Sequence, residues 1–371
     1  MPNILPREHL RSIHRTNERH EGRDRFVCLD RNERDTPFTE TVLRQMLADL
    51  NSRDLTAYPD AGAFVSKLST QIGFSEDWIC ETAGSDAAVR RLMMAYLKPG
   101  RTVVFGNPSY AMYDIYTRIF EGVPKRIDYR ADRSLDLPAF LAAIVPGVSI
   151  AIIANPNQPT GTALPPAALE QVVARAAQVE AVCVVDEAYH AFYGETLLPL
   201  VARHSNLIVT RTMSKCPGVA GLRVGYAVGA PHLMKGLTAV RGGSEVSGVS
   251  LKLGCYLLDH PEIAEEFRAA VGAGRKLVVD GARRLGFEVP PCVTNFQLIR
   301  CPPGIAADQV TRGLADRGYL VKSGFDHVSL RDCIRVTLNG PEIMGPFMEA
   351  LTAVMTHIGA VERESTARTT A

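Results

Sequence analysis

A lysine among small hydroxyl and glycine residues is the feature of the sequence that most directly indicates chemistry. Lys215 lies in the segment RTMSKCPGVAGLRVGY, which spans residues 211–226 and follows an apolar run. A lysine that forms an imine must be approachable and partly desolvated, because its amine has to be neutral near pH 7. The neighbouring hydroxyls and Arg223 suit a phosphate group, which a guanidinium binds through two donors. Taken alone, the segment is also compatible with a surface lysine in a glycine-rich loop.

Two further segments carry polar residues directly after apolar runs. Asp186 ends the run AVCVVD, and Asn157 and Gln158 lie in NPNQPTG, which follows the run SIAIIA. A buried carboxylate needs a cationic partner, which a protonated pyridine nitrogen would supply, and an amide can donate to a phenolate oxygen on the same ring. The steps from Asn157 to Asp186 and from Asp186 to Lys215 are both 29 residues, the length of one helix and one strand. We therefore expect the three groups at the same end of neighbouring strands, where open α/β sheets bind ligands.

The elements that must position these groups follow an α/β pattern from about residue 40. Short apolar, β-branched runs alternate with longer amphipathic ones, which favours parallel strands connected by helices. Near-continuous hydrophobic runs are typical of strands buried on both faces. The predicted strands are Thr102–Phe105, Ser149–Ala154, Ala181–Asp186, Leu207–Thr210 and Val224–Val228. The predicted helices are Asp86–Tyr96, Tyr110–Phe120, Pro165–Val179 and His260–Leu285.

The pattern changes after Gly286 to that of a separate, smaller unit. Its predicted strands are Phe287–Val289, Asn295–Arg300, Tyr319–Lys322 and Cys333–Thr337, and its predicted helices lie near Ala306–Arg317 and Pro341–Ile358. The predicted organisation is an N-terminal arm at 1–26, a large domain at 27–250, a small C-terminal domain at 251–360 and a flexible tail at 361–371. Residues 27–45 could instead pack on the small domain.

The composition excludes disorder and fibrous structure, because 46% of the 371 residues are hydrophobic and 22% are charged. A net charge of +1 supplies no general attraction to nucleic acid or to a membrane, so we expect neither as a partner. The eight cysteines form no CxxC pair, no run of 18 apolar residues is present, and no signal-peptide core follows Met1. We therefore expect a soluble, reduced, cytoplasmic protein without a metal site.

Arginine recurs every four residues near the N-terminus, at Arg7, Arg11, Arg15, Arg19 and Arg23. On a helix these like charges would line one face and repel one another. Two interpretations remain open: a solvated arm that becomes ordered only on contact, and an arm that folds over a site holding an anion. The stripe alone does not indicate nucleic-acid binding, because no aromatic residues alternate with the arginines.

The motifs NPNQPTG, DEAY, TMSK and GLRVGY, in this order and spacing, resemble those of the fold-type I pyridoxal 5′-phosphate (PLP) enzymes of aminotransferase class I/II. The histidinol-phosphate aminotransferase-like branch is the most similar, and the resemblance runs from about Leu29 to Ile358. It implies an α/β fold with a mixed, mostly parallel seven-stranded sheet flanked by helices, plus a smaller α+β C-terminal domain. It also implies that residues 27–250 form the PLP-binding domain.

The same resemblance assigns roles to residues of the motifs. Lys215 would be the Schiff-base lysine, Asp186 the partner of the pyridine nitrogen, and Tyr189 a hydrogen-bond partner of the ring oxygen O3′. Tyr110 would stack on the ring, whereas Tyr113 is predicted to be a core residue. A phosphate at a helix N-terminus is favoured by free N–H groups and by the helix dipole. The residues assigned to the phosphate are Gly84, Ser85, Asp86, Thr212, Ser214 and Arg223.

Other assignments concern the partner subunit and the substrate. Tyr58 resembles the tyrosine that reaches the phosphate of the neighbouring subunit, which implies a homodimer with shared active sites. Arg335 resembles the arginine that binds the anionic end of the substrate, and Asn32 with Glu33 resembles a segment at the substrate entrance. Lys322 stands where related enzymes tend to carry a second phosphate-binding arginine; it keeps the charge and loses the planar fork.

The sequence departs from the family pattern at three further places, and the first two leave alternatives open. Gln158 replaces the usual asparagine before PTG, so either Gln158 or Asn157 contacts O3′. His190 is either a packed histidine or a residue that tunes the cofactor. The segment RGGSE at 241–245 replaces one that is usually richer in apolar and amide residues.

The function that this pattern predicts is a PLP-dependent aminotransferase. It would move an amino group between an amino acid or related amine with an anionic group and a 2-oxo acid. The alternative is a lyase, decarboxylase or cyclase on the same scaffold, in a specialised biosynthetic pathway, since PLP permits cleavage of any bond at Cα that is perpendicular to the ring. A non-catalytic binding protein is disfavoured by the intact lysine, acid and arginine. No GxGxxG follows a predicted strand, which argues against binding of NAD.

Overall fold

The computed structural model describes residues 5–13 and 22–369, with side chains up to residue 359. Arg15 and Arg19 of the predicted arginine stripe and residues 370–371 of the predicted tail lie outside the described residues. The strands are β1 Val27–Cys28, β2 Ile79–Thr82, β3 Thr102–Asn107, β4 Val123–Asp128, β5 Val148–Ala154, β6 Val182–Asp186, β7 Leu207–Thr212, β8 Gly225–Gly229, β9 Phe296–Arg300, β10 Tyr319–Leu320 and β11 Cys333–Thr337.

The helices alternate with these strands along most of the chain. The helices are α1 Glu40–Ala48, α2 Ser52–Thr56, α3 Gly62–Ile72, α4 Ser85–Tyr96, α5 Met112–Ile119, α6 Leu137–Ala143, α7 Pro166–Ala177, α8 His190–Tyr193, α9 Pro231–Ala239, α10 Gly248–Asp259, α11 Glu262–Arg284, α12 Ala307–Ala315 and α13 Pro341–Thr369. Among the described residues, none of these helices is long and apolar enough to cross a membrane.

In the described chain a seven-stranded sheet forms the centre of the fold, in the order β2-β8-β7-β6-β5-β3-β4. Strand β8 runs antiparallel to both of its neighbours, and the other pairs are parallel. The predicted mixed, mostly parallel seven-stranded sheet is therefore confirmed. Its register places Ala154 beside Asp186 and Asp186 beside Thr210, so the strand ends that carry the polar motifs are neighbours.

Both faces of this sheet are covered, which explains the near-continuous hydrophobicity of its strands. Along β5, Ala151 and Ile153 belong to one hydrophobic core, and Ile150 and Ile152 belong to another on the opposite face. Helices α3, α7 and α10 contribute to the first core, and α4, α5 and α9 contribute to the second. The result is a three-layer α/β arrangement with its polar strand ends left accessible at one edge.

A third core lies around the antiparallel pair of β9 and β11, with α12, α13 and most of α11 packed against it. Leu29 joins this core, and β1 pairs in parallel with β10 in a separate two-stranded sheet, so the chain just after the N-terminal arm packs with the smaller unit. Val27 and Leu29 therefore pack with the smaller unit, whereas Phe38 and Val42 pack against a core of the large sheet. The leucines of α10 belong to a core of the large sheet, so the change of core occurs within α11, between Ile263 and Phe267.

Several predicted elements differ from the observed ones. The predicted strand Phe287–Val289 is reduced to a single bridge between Glu288 and Arg300. The predicted strand Tyr319–Lys322 ends at Leu320, because Tyr319 and Leu320 pair with β1 while Lys322 forms a bridge with Arg335. The helix predicted over His260–Leu285 begins at Glu262, directly after a proline. The last helix continues to Thr369, beyond the predicted end at Ile358.

Candidate active site

A cavity of about 550 Å³ opens at the carboxyl ends of the central strands, between the large sheet and residues of the smaller one. Most of the predicted site residues lie in its wall. They are Asn32, Ser85, Asp86, Tyr110, Gln158, Asp186, Tyr189, Thr212, Ser214, Lys215, Arg223, Lys322 and Arg335. Gly84, Asn157 and Tyr58 are predicted site residues that do not line it, and each is accounted for below.

Lys215 follows β7, and its amine lies inside the cavity. Its Nζ donates to the backbone carbonyl oxygens of Arg31 at 3.1 Å and Asn32 at 3.2 Å. Burial lowers the pKa of Lys215 to about 8, the positive charge of Arg335 acts in the same direction, and Glu33 opposes the shift. A substantial fraction of the amine is therefore neutral near physiological pH, as an imine-forming lysine requires.

Asp186 is the last residue of β6 and is buried. Its Oδ2 accepts from the hydroxyl of Tyr113 at 2.7 Å, and its Oδ1 accepts from the hydroxyl of Thr210 at 3.0 Å and from the backbone N–H of Ala188 at 3.2 Å. Burial raises the pKa of the carboxyl, and these hydrogen bonds oppose the shift. These hydrogen bonds hold the carboxylate in one orientation at the cavity wall. It lies at the carboxyl end of β6, where the sequence predicts it.

Tyr189 and Asn32 form a second polar pair in the wall. The side-chain Nδ2 of Asn32 donates to the hydroxyl oxygen of Tyr189 at 2.8 Å, and the tyrosine ring contacts Phe296 edge-on. Burial raises the pKa of Tyr189 to about 12, so its hydroxyl keeps its proton at neutral pH and can donate it to a ligand oxygen. Within the described residues, the buried Oδ1 of Asn32 has no hydrogen-bond partner, which leaves an acceptor beside the cavity.

The start of α4 and the loop after β7 form an anion-binding corner. Gly84 precedes α4 with φ 80 and ψ 169, and a Cβ at this position would lie 2.7 Å from Nη2 of Arg223. Nη1 of Arg223 donates to Oγ of Ser214 at 3.2 Å, and Thr212 donates to the same oxygen at 2.9 Å. No side chain of the described residues caps α4, so its first N–H groups, from Ser85 onward, stay available to an anion.

Asp86 belongs to this corner, but its carboxylate is occupied. The hydroxyl of Tyr110 donates to Oδ1 at 3.0 Å, and the hydroxyl of Tyr116 donates to Oδ2 at 2.9 Å. The backbone N–H of Asp86, in the first turn of α4, is the group that suits an anion.

The two amides of NPNQPTG have different surroundings. Asn157 is buried; its Oδ1 accepts from Ser109 at 2.7 Å, and its Nδ2 donates to the carbonyl of Pro108 at 3.0 Å and to Thr160 at 2.8 Å. Gln158 lines the cavity instead. The predicted contact of one of these amides with O3′ remains a prediction, and the geometry favours Gln158 because the amide of Asn157 is already bonded to Ser109, Pro108 and Thr160.

Arg335 projects from β11 into the cavity, and its Nη2 donates to the backbone carbonyl of Asp30 at 2.7 Å. Lys322 lines the same wall, because its backbone pairs with that of Arg335. Two acids, Asp30 and Glu33, also line the cavity. Arg23 binds both of them, with distances of 2.6 and 2.8 Å to the two oxygens of Asp30. The charge at the substrate side of the cavity is therefore mixed.

Of the described members of the arginine stripe, Arg7, Arg11 and Arg23, it is Arg23 that approaches the cavity, through these two acids. Arg7 and Arg11 are exposed to solvent. The N-terminal segment also contacts α5, where His9 Nε2 lies 3.2 Å from the carbonyl oxygen of Ile119.

The remaining predicted residues lie away from the cavity. Tyr58 is 94% exposed, so in a single chain it contacts no part of the site. His190 packs beneath the site, with Nδ1 2.9 Å from the carbonyl oxygen of Glu187, and burial lowers its pKa to about 3. The unusual segment at 241–245 forms ion pairs, in which Glu245 binds the buried Arg91 of α4. The burial of His190 and its contact with Glu187 favour the interpretation of His190 as a packed histidine.

Sequence reasoning missed several supporting residues. Tyr113 was predicted to be core; it is fully buried, and its hydroxyl also binds Asp186. Glu187 and Arg211 form a buried ion pair, with 2.9 Å between Nη2 of Arg211 and a carboxylate oxygen of Glu187. The two residues are the sequence neighbours of Asp186 and Thr212. The signal for Tyr113 was the spacing of three tyrosines in YAMYDIY, and the signal for the ion pair was a charged residue in each of two buried strand ends.

The donors and acceptors of this cavity fit PLP. A lysine with a lowered pKa suits an aldehyde, a buried carboxylate suits a pyridinium, and an arginine with hydroxyls at a helix N-terminus suits a phosphate. The unpartnered buried oxygen of Asn32 is a further group that a ligand would satisfy. In the described residues no cluster of side chains is arranged to hold a metal ion.

Comparisons with known proteins agree with this arrangement. The histidinol-phosphate aminotransferase of Thermoanaerobacter pseudethanolicus is 30% identical over 317 residues, covering 85% of this chain and 89% of the relative. Histidinol-phosphate aminotransferase 1 of Burkholderia lata is 33% identical over 338 residues, covering 88% and 91%. A solved structure of histidinol-phosphate aminotransferase from Sinorhizobium meliloti has the same fold, with a TM-score of 0.81 at 23% identity over 95% of this chain and 98% of that one. The family model described as aminotransferase class I and II matches residues 27–344, and the chain therefore belongs to this family of aminotransferases.

Proposed function

We propose that this aminotransferase uses PLP to move an amino group between an amine that carries an anionic group and a 2-oxo acid. Histidinol phosphate is the first donor to test, because the relatives described above carry its name. The observation that carries the proposal is one cavity that contains the amine of Lys215, the carboxylate of Asp186 and the guanidinium of Arg335. The comparisons contain aminotransferases and do not favour the lyase alternative.

PLP, when bound, supplies an aldehyde that condenses with amines and a pyridine ring that withdraws electrons from the substrate's Cα. Lys215 is the amine that would hold it, and the neutral Nζ of Lys215, once released, would take the proton from Cα and deliver it to the cofactor carbon C4′. Asp186 holds the proton of the pyridine nitrogen, as expected of a buried carboxylate with a fixed orientation. Tyr189 and Gln158 provide the donors for O3′.

The anion-binding corner receives the phosphate. Arg223 offers a planar pair of donors, Ser214 and Thr212 offer hydroxyls, and the first turn of α4 offers backbone N–H groups. At the opposite side, Arg335 binds the anionic group of the substrate, with Lys322 as a second positive charge. A lysine contributes charge without a planar fork, so Arg335 is the residue that sets the orientation of the anion.

The active unit is a homodimer in this proposal. Tyr58 and Leu55 are 94% and 76% exposed, which is typical of residues that a partner covers. Tyr58 would then reach the phosphate bound by the partner subunit. A cytoplasmic location and the absence of nucleic-acid and membrane partners stay predictions.

A half-reaction assay tests the activity. Purified enzyme with PLP is mixed with histidinol phosphate, with its dephosphorylated analogue, and with glutamate, and the cofactor spectrum is followed. Conversion to the amino form by a donor, and its reversal by 2-oxoglutarate, is the expected result. Release of carbon dioxide or ammonia without a 2-oxo acid would instead establish the lyase alternative.

A pair of variants tests substrate binding. Arg335→Lys keeps the charge and loses the fork, so it should raise KM for anionic donors with a smaller effect on kcat. Arg300→Lys, at the half-buried end of the neighbouring strand β9 and outside the cavity wall, is the matched control. Equal kinetic constants for the two variants would contradict the role of Arg335.

A further inference from the structure

Three tyrosines spaced three residues apart direct their hydroxyls at two carboxylates of the cavity wall. Tyr110 lies just before α5, and Tyr113 and Tyr116 lie within it. Tyr113 donates to Asp186 at 2.7 Å, while Tyr110 and Tyr116 donate to the two oxygens of Asp86 at 3.0 and 2.9 Å. Residues three apart lie on the same side of a helix, so one face of α5 supplies the donors of Tyr113 and Tyr116, and Tyr110 precedes that face in the chain.

The contact between Tyr113 and Asp186 is fixed by the packing around the Tyr113 ring. Tyr113 is fully buried, and its ring packs edge-on between Phe105 and Tyr110 with centroid distances of 6.1 and 5.6 Å. The hydroxyl therefore cannot rotate away to solvent. It satisfies Oδ2, and Thr210 of the neighbouring strand β7 satisfies Oδ1.

A carboxylate that accepts hydrogen bonds is a weaker base than one that accepts none. The titratable groups that face Asp186 are Tyr113, Tyr110, Tyr189 and the carboxylate of Asp86. Among them, Tyr113 makes the direct contact with a carboxylate oxygen. Removing this donor should make Asp186 a stronger base and draw the shared proton from the pyridine nitrogen toward the carboxylate.

The contacts of Tyr110 and Tyr116 with Asp86 affect the phosphate side of the site. Asp86 occupies the first turn of α4, close to Arg223, whose Nη2 donates to the backbone carbonyl of Ala83 at 3.3 Å. A phosphate bound there would be repelled by an unpaired carboxylate in the same turn. Tyr110 and Tyr116 each take one oxygen of Asp86 and hold the negative charge on the side of α5.

We propose that Tyr113 and Tyr116 are positioning residues through which α5 orients the two carboxylates of the cofactor site. Tyr113 holds Asp186 toward the pyridine nitrogen, and Tyr116 holds Asp86 away from the phosphate. This inference rests on PLP as the cofactor of the proposed function. Its tests measure cofactor binding and the cofactor's proton, so they succeed or fail independently of whether the enzyme transaminates a given amine.

The first test replaces Tyr113 with phenylalanine and reads the protonation of the pyridine nitrogen. With ¹⁵N-labelled PLP, the nitrogen resonance of Tyr113→Phe should move toward its unprotonated position. Affinity for PLP and for pyridoxal, which lacks the phosphate, should fall equally, by about tenfold, the size expected for one hydrogen bond to a charged group. Thr210→Val, which removes the donor to the other oxygen, should move the resonance in the same direction and serves if Tyr113→Phe does not fold.

The second test separates the phosphate from the ring. Tyr116→Phe should weaken binding of PLP, and of inorganic phosphate to the apoenzyme, by about tenfold while leaving the affinity for pyridoxal unchanged. In an Asp86→Asn background, which removes the charge, the same substitution should have a much smaller effect. The nitrogen resonance of the Tyr116→Phe enzyme should keep its wild-type position.

Tyr96→Phe is the matched control, because Tyr96 donates its hydroxyl to a backbone carbonyl, that of Leu233, and not to a carboxylate. The proposal is overturned if the Tyr113→Phe enzyme matches this control in the nitrogen resonance, or, where Tyr113→Phe does not fold, if Thr210→Val matches it. It is also overturned if Tyr116→Phe weakens pyridoxal and PLP to the same extent. An enzyme that shows the predicted binding changes but transaminates none of the tested amines would contradict the proposed substrates and not this inference.

Discussion

The side-chain amine of Lys215 lies 3.2 Å from the backbone carbonyl oxygen of Asn32, a residue 183 positions earlier in the chain. The backbone N–H of Asn32 donates to Thr337 of β11, and its side chain donates to Tyr189. Asn32 also has a φ of 58°, in the left-handed region that few residues other than glycine adopt. One short segment therefore links the reactive amine to the smaller sheet, and the cavity is complete only where the two sheets meet.

The attachment of the cofactor should depend on Lys215 alone. Lys215→Ala is expected to lose covalent PLP after borohydride reduction, as measured by intact mass, whereas Lys322→Ala in the same cavity retains it. Because the pKa of Lys215 is lowered to about 8, its amine is protonated at lower pH and neutral at higher pH. The rate of attachment to the apoenzyme should therefore rise up to about pH 8 and then level off. A lysine-bound cofactor in Lys215→Ala would show that another residue is the nucleophile.

Gly84→Ala should weaken PLP binding at the phosphate. The new Cβ would lie 2.7 Å from Nη2 of Arg223, and the positive φ strains any side chain. Displacing Arg223 removes a charged donor pair, so we expect a loss of about tenfold or more in affinity, measured by fluorescence titration. Gly73→Ala is the control, since Gly73 has a similar φ of +75° and nothing within 4 Å of its Cβ position. An equal loss of affinity in both variants would mean that strain in the fold, not contact with Arg223, is responsible.

How far the sequence predicts this site depends on how local each signal is. The order of apolar runs and the 29-residue spacing placed Asn157, Asp186 and Lys215 on neighbouring strands, because each signal lies within one helix-strand unit. The role of Tyr113 could not be read in the same way. Its partner Asp186 is 73 residues away, and a buried tyrosine has the same pattern whether or not its hydroxyl is paired.

The pairing of β1 with β10 was not predictable from the sequence, for a similar reason. Tyr319 and Leu320 look like the start of a longer strand, but they pair with Val27 and Cys28 from the other end of the chain. The sequence pattern indicates a strand and does not indicate its partner, so the strand ends where that short partner ends.

The two amides of NPNQPTG should give different defects. Asn157→Ala removes hydrogen bonds with Ser109, Pro108 and Thr160, so it should lower the free energy of unfolding by about 2–3 kcal/mol. Gln158→Ala should leave stability close to wild type and change the absorbance of bound PLP, since Gln158 lines the cavity. Urea denaturation and absorbance spectra measure the two effects. The opposite pattern would assign the O3′ contact to Asn157.

The buried pair of Glu187 and Arg211 should be essential for stability. Nε and Nη2 of Arg211 donate to one oxygen of Glu187 at 3.0 and 2.9 Å, and both side chains are buried. Arg211→Met leaves the carboxylate uncompensated, which should cost about 3–5 kcal/mol in urea denaturation. The exposed pair of Lys67 and Asp259 provides the control, and Lys67→Met should change stability little because solvent screens that pair. Similar losses for both would contradict a special role for the buried pair.

His190 should make the fold sensitive to acid. Burial lowers its pKa to about 3 in the folded chain, with the charge of Arg211 acting in the same direction, whereas an unfolded histidine titrates near its ordinary value of about 6.5. Below that value the unfolded chain binds a proton that the folded chain does not, so the free energy of unfolding falls as the pH falls, by about 1.4 kcal/mol per pH unit from this residue. His190→Asn keeps a donor near the carbonyl of Glu187 and removes the titration. Urea denaturation between pH 7 and pH 4 should therefore give a shallower decline for His190→Asn than for wild type, and parallel declines would show that the protonation of His190 does not limit acid stability.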